Sequence, residues 1–378
     1  MKSTSKNRQL IPVGIILASL LGAPGSAQEA RIEQRDGLTI VHNPKQPVQE
    51  KGSPSTLSLK RDLRLGERRE DEDYMFSRIG GVAVDVEEDI IVIDEKEIVV
   101  KVFDKAGKHI RTFGKRGQGP GEFASVARIV LKGGKEIVLL DEANGRFSYY
   151  SKEGKCLREI KLGKNQISRV KPDSRGFIYA DTMIRDENNV SDIIMRFNPE
   201  FENYETVTAH EWTFNYRELN PVSVWYMYTV MEDDRFIWGR NTDYEFTILN
   251  QAGKPLKRIV KDYDPVDITK EAREKMLADM FGERGVPDFI TLKFPDHYTP
   301  WFYFICDDVG GFYVRTFEKN AQGHFKWDYF DKNGIYRLFF FLPPEELFYC
   351  VRNNKAYSFI NETEDGIPVV IRYLMEWR

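Results

Sequence analysis

The stretch from Gly81 to Gly114 limits the chain more than any other. Three short apolar runs, Val82–Val84, Ile90–Ile93 and Ile98–Phe103, are separated by acidic turns, and an alternating run, His109–Phe113, follows Lys105-Ala-Gly-Lys. Four strands joined by hairpins, with no helix between them, form one antiparallel meander. Such a sheet has two faces and cannot bury both by itself, so it must stack against copies of itself.

The copies are marked by the hairpin after the third strand. It reads Phe103-Asp-Lys-Ala-Gly107, Tyr150-Ser-Lys-Glu-Gly154, Phe197-Asn-Pro-Glu-Phe201, Leu249-Asn-Gln-Ala-Gly253 and Phe330-Asp-Lys-Asn-Gly334. Each has an apolar strand end, then Asp, Ser or Asn able to bond its own backbone, then in four of five a Gly that tolerates positive φ. The markers fall 47, 47, 52 and 81 residues apart. A period in the forties with four strands per unit predicts propeller blades.

Five blades follow, at about residues 77–116, 125–163, 167–208, 221–262 and 297–342. The sixth is split. Lys355–Glu362 and Val369–Arg378 supply its middle strands, and no return strand follows them. Leu57–Glu67 has the alternating character of a return strand and the same Leu-Gly ending as Leu157–Gly163. Pairing it with the C-terminal blade closes the ring and removes two exposed sheet edges. The expected fold is all-β, a six-bladed β-propeller of four-stranded antiparallel blades, closed by the N-terminal strand, with one short inserted helix.

Arg116-Gly-Gln-Gly-Pro-Gly-Glu-Phe123, between the first two blades, resembles the GxGPGEF loop of NHL-repeat propellers. Val82-AVD, Ile91-VID, Val102-FD and the Gly107 turn fit the same pattern, which fades after the second blade. The whole chain is similar to the exported, NHL-like six-bladed propellers of bacteria. The resemblance implies either a binding module or, as the alternative, a metal-dependent propeller enzyme of lactonase or lyase type.

Residues 1–27 read as a signal peptide: Lys2, Lys6 and Arg8 precede the apolar run Leu10–Leu21, and Gly25-Ser26-Ala27 offers a cleavage site. Export to the periplasm or the extracellular space follows, leaving an extension at 28–56 and the propeller at 57–378. No transmembrane span is expected after cleavage, since the apolar run falls short of about 20 residues. The net charge of −4 becomes −7 once the three leader cations are removed. A mixed acidic surface of that kind excludes nucleic acid as a partner. Cys156, Cys306 and Cys350 form no CxxC and are expected as buried free thiols; Cys306 and Cys350, each in an aromatic strand, can meet in neighbouring blades.

Between blades four and five, an insertion at about 263–294 contains Thr269–Glu283, a helix with Thr269 as its cap. Ala272, Met276, Leu277, Met280 and Phe281 form one apolar stripe, which is expected to lie on the propeller body.

No catalytic signature appears. The five histidines form no HExxH, and no GxSxG, Walker or dinucleotide motif is present. The acidic clusters Glu87–Asp89, Asp94-Glu95, Glu232–Asp234 and Asp307-Asp308 sit at hairpin turns and read as solvated. No cofactor is expected; Ca²⁺ is the one ion such turns leave open, although none matches an EF-hand loop.

Aligning the blades on their second strands puts Gly81, Arg128 and Tyr303 at one inner-strand level. Blades three and four admit two frames, Ser168 with Met227 or Arg169 with Tyr228. The polar frame is chosen, giving Arg128, Arg169, Tyr228 and Tyr303 as ligand-binding residues of the axial channel. Forked hydrogen bonds and ring stacking suit an anionic or sugar-like ligand; the competing expectation is that each Arg pairs with a neighbouring carboxylate. The reading is a monomeric, non-catalytic module that recognises a protein, peptide or glycan at the channel mouth.

Overall fold

The computed structural model describes residues 29–378 except 69, 126–127, 133–135, 163–166, 187–188, 214, 216 and 223. The leader at 1–27 lies outside the described residues. Six sheets stand around one axis, and their innermost strands follow one another in a closed ring. These strands are Ile79–Val84, Arg128–Lys132, Ser168–Pro172, Tyr226–Val230, Tyr303–Cys306 and Phe348–Arg352. The chain is a six-bladed β-propeller.

Closure occurs as the sequence predicts. Leu57–Leu65 pairs antiparallel with Val369–Trp377, from Trp377 opposite Leu57 to Val370 opposite Leu65. Asp62 adds two hydrogen bonds from the Arg372 guanidinium, at 3.0 and 2.8 Å.

The repeated turn marks the joints between blades. Gly107 has φ +81, and a Cβ there would stand 2.8 Å from Leu63 on the outer strand of blade six. Gly154 has φ +80 and faces Phe113 of blade one in the same way, at 2.7 Å. Glycine is therefore required twice, by the left-handed backbone and by the close approach of the preceding blade. The third turn keeps the positive φ without glycine: Phe201, at φ 60, is buried, with its ring 5.4 Å from Phe147 of blade two. Cations of one blade also donate to the turn carbonyls of the next. Arg372 reaches Lys105 at 2.5 Å, Arg196 reaches Gln251 at 3.1 Å, and Lys257 reaches Asn333 at 2.9 Å.

Three features depart from the sequence reading. Blade four has six strands, because the extension folds as a hairpin, Arg31–Arg35 with Leu38–Asn43, whose second strand pairs parallel with Pro255–Lys261. Buried Asn43 then donates to the Gly334 carbonyl at 2.9 Å and accepts from Tyr336 N–H at 2.8 Å, tying the extension across blade five. Second, the helix, Lys270–Phe281, is capped by Thr269 as expected, yet it buries no residue and leaves Met280 49% exposed. Of the stripe, Ala272, Met276, Leu277 and Phe281 are half-buried, so the apolar face is covered only in part. Third, Asp94 and Asp307 are buried rather than solvated, since their turns fold around the carboxylates as acceptors of backbone N–H groups.

Candidate functional site

Each blade's second strand ends on the face where the chain passes from one blade to the next. In blade one that end is Asp94, fully buried, accepting from Ser77 N–H at 2.7 Å and Arg78 N–H at 3.2 Å. In blade two it is Asp141, which accepts from Ala124 at 3.1 Å and Ser125 at 3.0 Å. The chain entering each blade is thus pinned against it and the seam is closed.

Blades three and four break the pattern. The second and third strands of blade three, Ile178–Asp186 and Asn189–Phe197, run nine residues each, and the outer strand Tyr204–Thr213 runs ten. They project beyond their neighbours on this face. Asp94 and Asp141 stand four residues after Ile90 and Ile137 and end their strands; four residues after Phe236, at the end of the second strand of blade four, stands Arg240. Its backbone pairs with Tyr226.

Between these blades lies a cavity of about 1010 Å³. Asp192 and Trp212 line it from blade three and Trp225, Tyr226 and Arg240 from blade four, with Arg169 and Asp181 at its base. Trp212 donates its Nε1–H to Asp192 at 3.0 Å and stays 37% exposed. The rim comes from the linker and the insertion: Glu218-Leu219 pairs parallel with Thr291-Leu292, and Lys293 lies 3.6 Å from Glu218. The insertion therefore reaches the cavity by its strand, with the helix standing away from the core.

The base is a polar cluster. Arg169 grips Asp181 through Nε at 3.0 Å and Nη2 at 2.6 Å, and its Nη1 donates to the Tyr226 carbonyl. Tyr228 donates to Asp181 at 2.7 Å, and the guanidinium lies 5.3 Å from the Tyr228 ring centroid. Burial pulls the Arg169 pKa down, but the Asp181 ion pair outweighs it and holds the guanidinium above its ordinary value. Arg169 adopts φ 50, a left-handed backbone that costs about 1–2 kcal/mol in a non-glycine residue.

Strand pairing resolves the two frames. Gly81 pairs with Ile93, Arg128 with Leu140 and Tyr303 with Arg315, three residues beyond Ile90, Ile137 and Phe312 respectively. The matching pairs are Ser168 with Asp181 and Met227 with Gly239. The level thus contains Ser168 and Met227, and the choice of Arg169 and Tyr228 is corrected by one residue. The cause in blade three is a register shift between Ser168 and Lys171, where Arg169 sits at positive φ.

All four named residues occupy inner strands, but they do not form one ring. Arg169 and Tyr228 come together, with Arg169 paired to a carboxylate as the competing expectation held. Tyr303 packs at the core between blades five and six, its ring 6.2 Å from Trp327. The side chain of Arg128 lies outside the described residues. Sequence reasoning missed Asp181, Asp192, Trp212, Trp225 and Arg240. The available signal was a break in the repeat, since the strand ending IIVID in blade one and IVLLD in blade two ends FIWGR in blade four.

At the other mouth the channel narrows to about 180 Å³ between inner-strand ends that include Val84, Val230, Cys306 and Cys350. Both cysteines are free thiols on neighbouring inner strands, and burial pushes the Cys350 thiol up to about 12. Arg352 and Glu232 pair there at 2.6 Å. Among the described residues, no three His, Cys, Asp or Glu side chains group as metal ligands, and no helix is long and apolar enough to cross a membrane.

Fold and site together define a propeller with one enlarged seam between blades. Residues 70–256 match the model of a family described as DUF5128, 6-bladed beta-propeller. Among solved structures, the chain is similar to a Bacteroides fragilis protein described as exported, with 11% identity over 90% of this chain and 99% of that one and a TM-score of 0.54. It is also similar to a DUF4221 family member from Bacteroides vulgatus, with 8% identity over 86% and 100% of the two chains and a TM-score of 0.51. Virginiamycin B lyase from Staphylococcus aureus aligns at 12% identity over 84% and 99%, with a TM-score of 0.42. No protein of curated function matches the sequence. At these identities the likeness concerns the fold alone.

Proposed function

We propose that this protein is an exported, NHL-like propeller that acts as a non-catalytic binding module, taking its ligand in the cavity between blades three and four. The observation that carries the reading is the cavity itself, about 1010 Å³ with indole and phenol rings beside carboxylates and a guanidinium. A concave, largely apolar site with a few converging polar groups is the usual form of a small-ligand pocket. Arg169 and Tyr228 hold Asp181 in place at its base. Export rests on the leader at 1–27, and the acidic surface argues against nucleic acid.

The test is thermal stabilisation of the purified protein by a panel of oligosaccharides, peptides and small anions. At least one member should raise the melting temperature of the wild type and leave Thr182→Trp, which fills the cavity, unchanged. Equal stabilisation of both proteins would move the site elsewhere.

A further inference from the structure

We infer that the ligand of this cavity is a short acidic oligosaccharide whose carboxylate is received by Arg240, an inference that rests on the binding reading above. Three cations line the cavity, and two are already engaged: Arg169 by Asp181 and Lys293 by Glu218. Arg240 is different. It is half-buried, its guanidinium lies 5.9 Å from the Tyr226 ring centroid, and among the described residues it has no ion-pair partner. It also occupies the strand position where blades one and two bury an aspartate to seal the seam. The buried Asn241 that follows it takes over that task by accepting the Trp225 N–H at 2.9 Å, which leaves Arg240 on the cavity wall without a counterion among the described residues. A planar guanidinium matches a carboxylate through two parallel hydrogen bonds.

The rest of the lining narrows the ligand class. Four carboxylates, Glu142, Asp181, Asp192 and Glu218, outnumber the three cations, so a phosphate-rich polyanion is repelled while a single carboxylate is accepted. Carboxylate oxygens accept hydrogen bonds, and hydroxyl groups are the donors that suit them. Trp212 and Trp225 offer amphipathic ring faces to the C–H face of a pyranose. A volume of about 1010 Å³ stands at the upper end of small-molecule sites, roughly 300–1,000 Å³, and is large for a lone monosaccharide or inorganic anion. Hydroxyls, a sugar ring face and one carboxylate together describe a uronic-acid oligosaccharide.

The experiment is calorimetric titration with three probes: a trisaccharide of two neutral sugars and one terminal uronic acid, its neutral methyl ester and triglutamate. The acidic trisaccharide should bind at least tenfold more tightly than the ester. Arg240→Met should remove that preference while leaving weak binding of both sugars, Arg240→Lys should retain part of it, and Trp225→Ala should weaken both sugars together. Melting temperatures of the variants check that each is folded. Equal affinity for acid and ester, or an unaltered preference in Arg240→Met, overturns the inference; if that binding still depends on Trp225, the cavity reading survives. Binding of triglutamate in place of the sugars, or of none of the three, also overturns it, and the panel with Thr182→Trp then decides separately whether the cavity binds anything.

Discussion

Blades one and two and blades three and four are built from the same four-strand unit, and they use the ends of their second strands in opposite ways. Asp94 and Asp141 turn inward and accept the backbone N–H groups of the incoming chain, closing the seam. One residue earlier in its strand, Asp181 takes Arg169 and Tyr228 instead, and Arg240 stands where the next aspartate would be. The incoming chain of blade four is instead held by the buried Asn241, which accepts the Trp225 N–H, and Arg240 is left to line the cavity. In a repeat protein the recurring residues hold the ring together, so the positions where the repeat fails are free for recognition.

The largest effect should follow from opening a seam altogether. A chain beginning at Gly66 lacks Leu57–Leu65 and leaves the nine-residue strand Val369–Trp377 with an unpaired edge. Arg372, with its side chain 9% exposed, loses Asp62 in the same step. The expected result is loss of a single cooperative transition in urea, followed by circular dichroism. A midpoint equal to the wild type would mean that the ring does not depend on this closure.

Within the sealed half, Asp94→Ala strands the N–H groups of Ser77, Arg78, Lys96 and Glu97, all within 3.2 Å of its carboxylate. Exposing or orphaning those donors should cost about 3 kcal/mol of unfolding free energy. Among the described residues the Arg240 side chain makes no hydrogen bond or ion pair, so Arg240→Met, at the matching position of blade four, loses only its contact with the Tyr226 ring and should change stability by less than about 0.5 kcal/mol. Comparable losses at the two sites, measured by urea denaturation, would erase the contrast between sealing and recognising positions.

How much of this was legible in the sequence depends on how local the physics is. The turn glycines were readable because positive φ is a local demand, and the split sixth blade was readable because a missing return strand at one end matched a spare strand at the other. Arg169 was misplaced in register because a single extra residue in an inner strand leaves no trace in an alternating pattern. The burial of Asp94 could not be read from Asp94-Glu95, since what makes an acid tolerable inside is a set of N–H groups supplied from 16 and 17 residues away. The helix stripe suggested packing, yet apolar spacing says which side chains share a face and not whether anything covers them. The cavity was the least readable feature, being formed by three blades, a linker and an insertion that meet only in three dimensions.

The smallest expected effect tests the charge of the open seam. His210 pairs across the strands with Asp192, and its pKa is lowered, chiefly by burial and then by the nearby Arg240 cation, with Asp192 opposing. A histidine whose folded pKa lies below its unfolded one resists protonation in the native state. Stability is therefore greatest above the ordinary value of about 6.5 and falls as pH drops from there toward the lower folded pKa. The group is mostly solvated, so the loss should stay within a few tenths of a kcal/mol. It should disappear in His210→Gln and shrink in Arg240→Met, because removing the guanidinium removes part of the penalty for charging the ring. A pH profile of urea stability between pH 7.5 and about 5 reads both differences, and an unchanged slope in Arg240→Met would mean that Arg240 does not set the potential felt across the cavity wall.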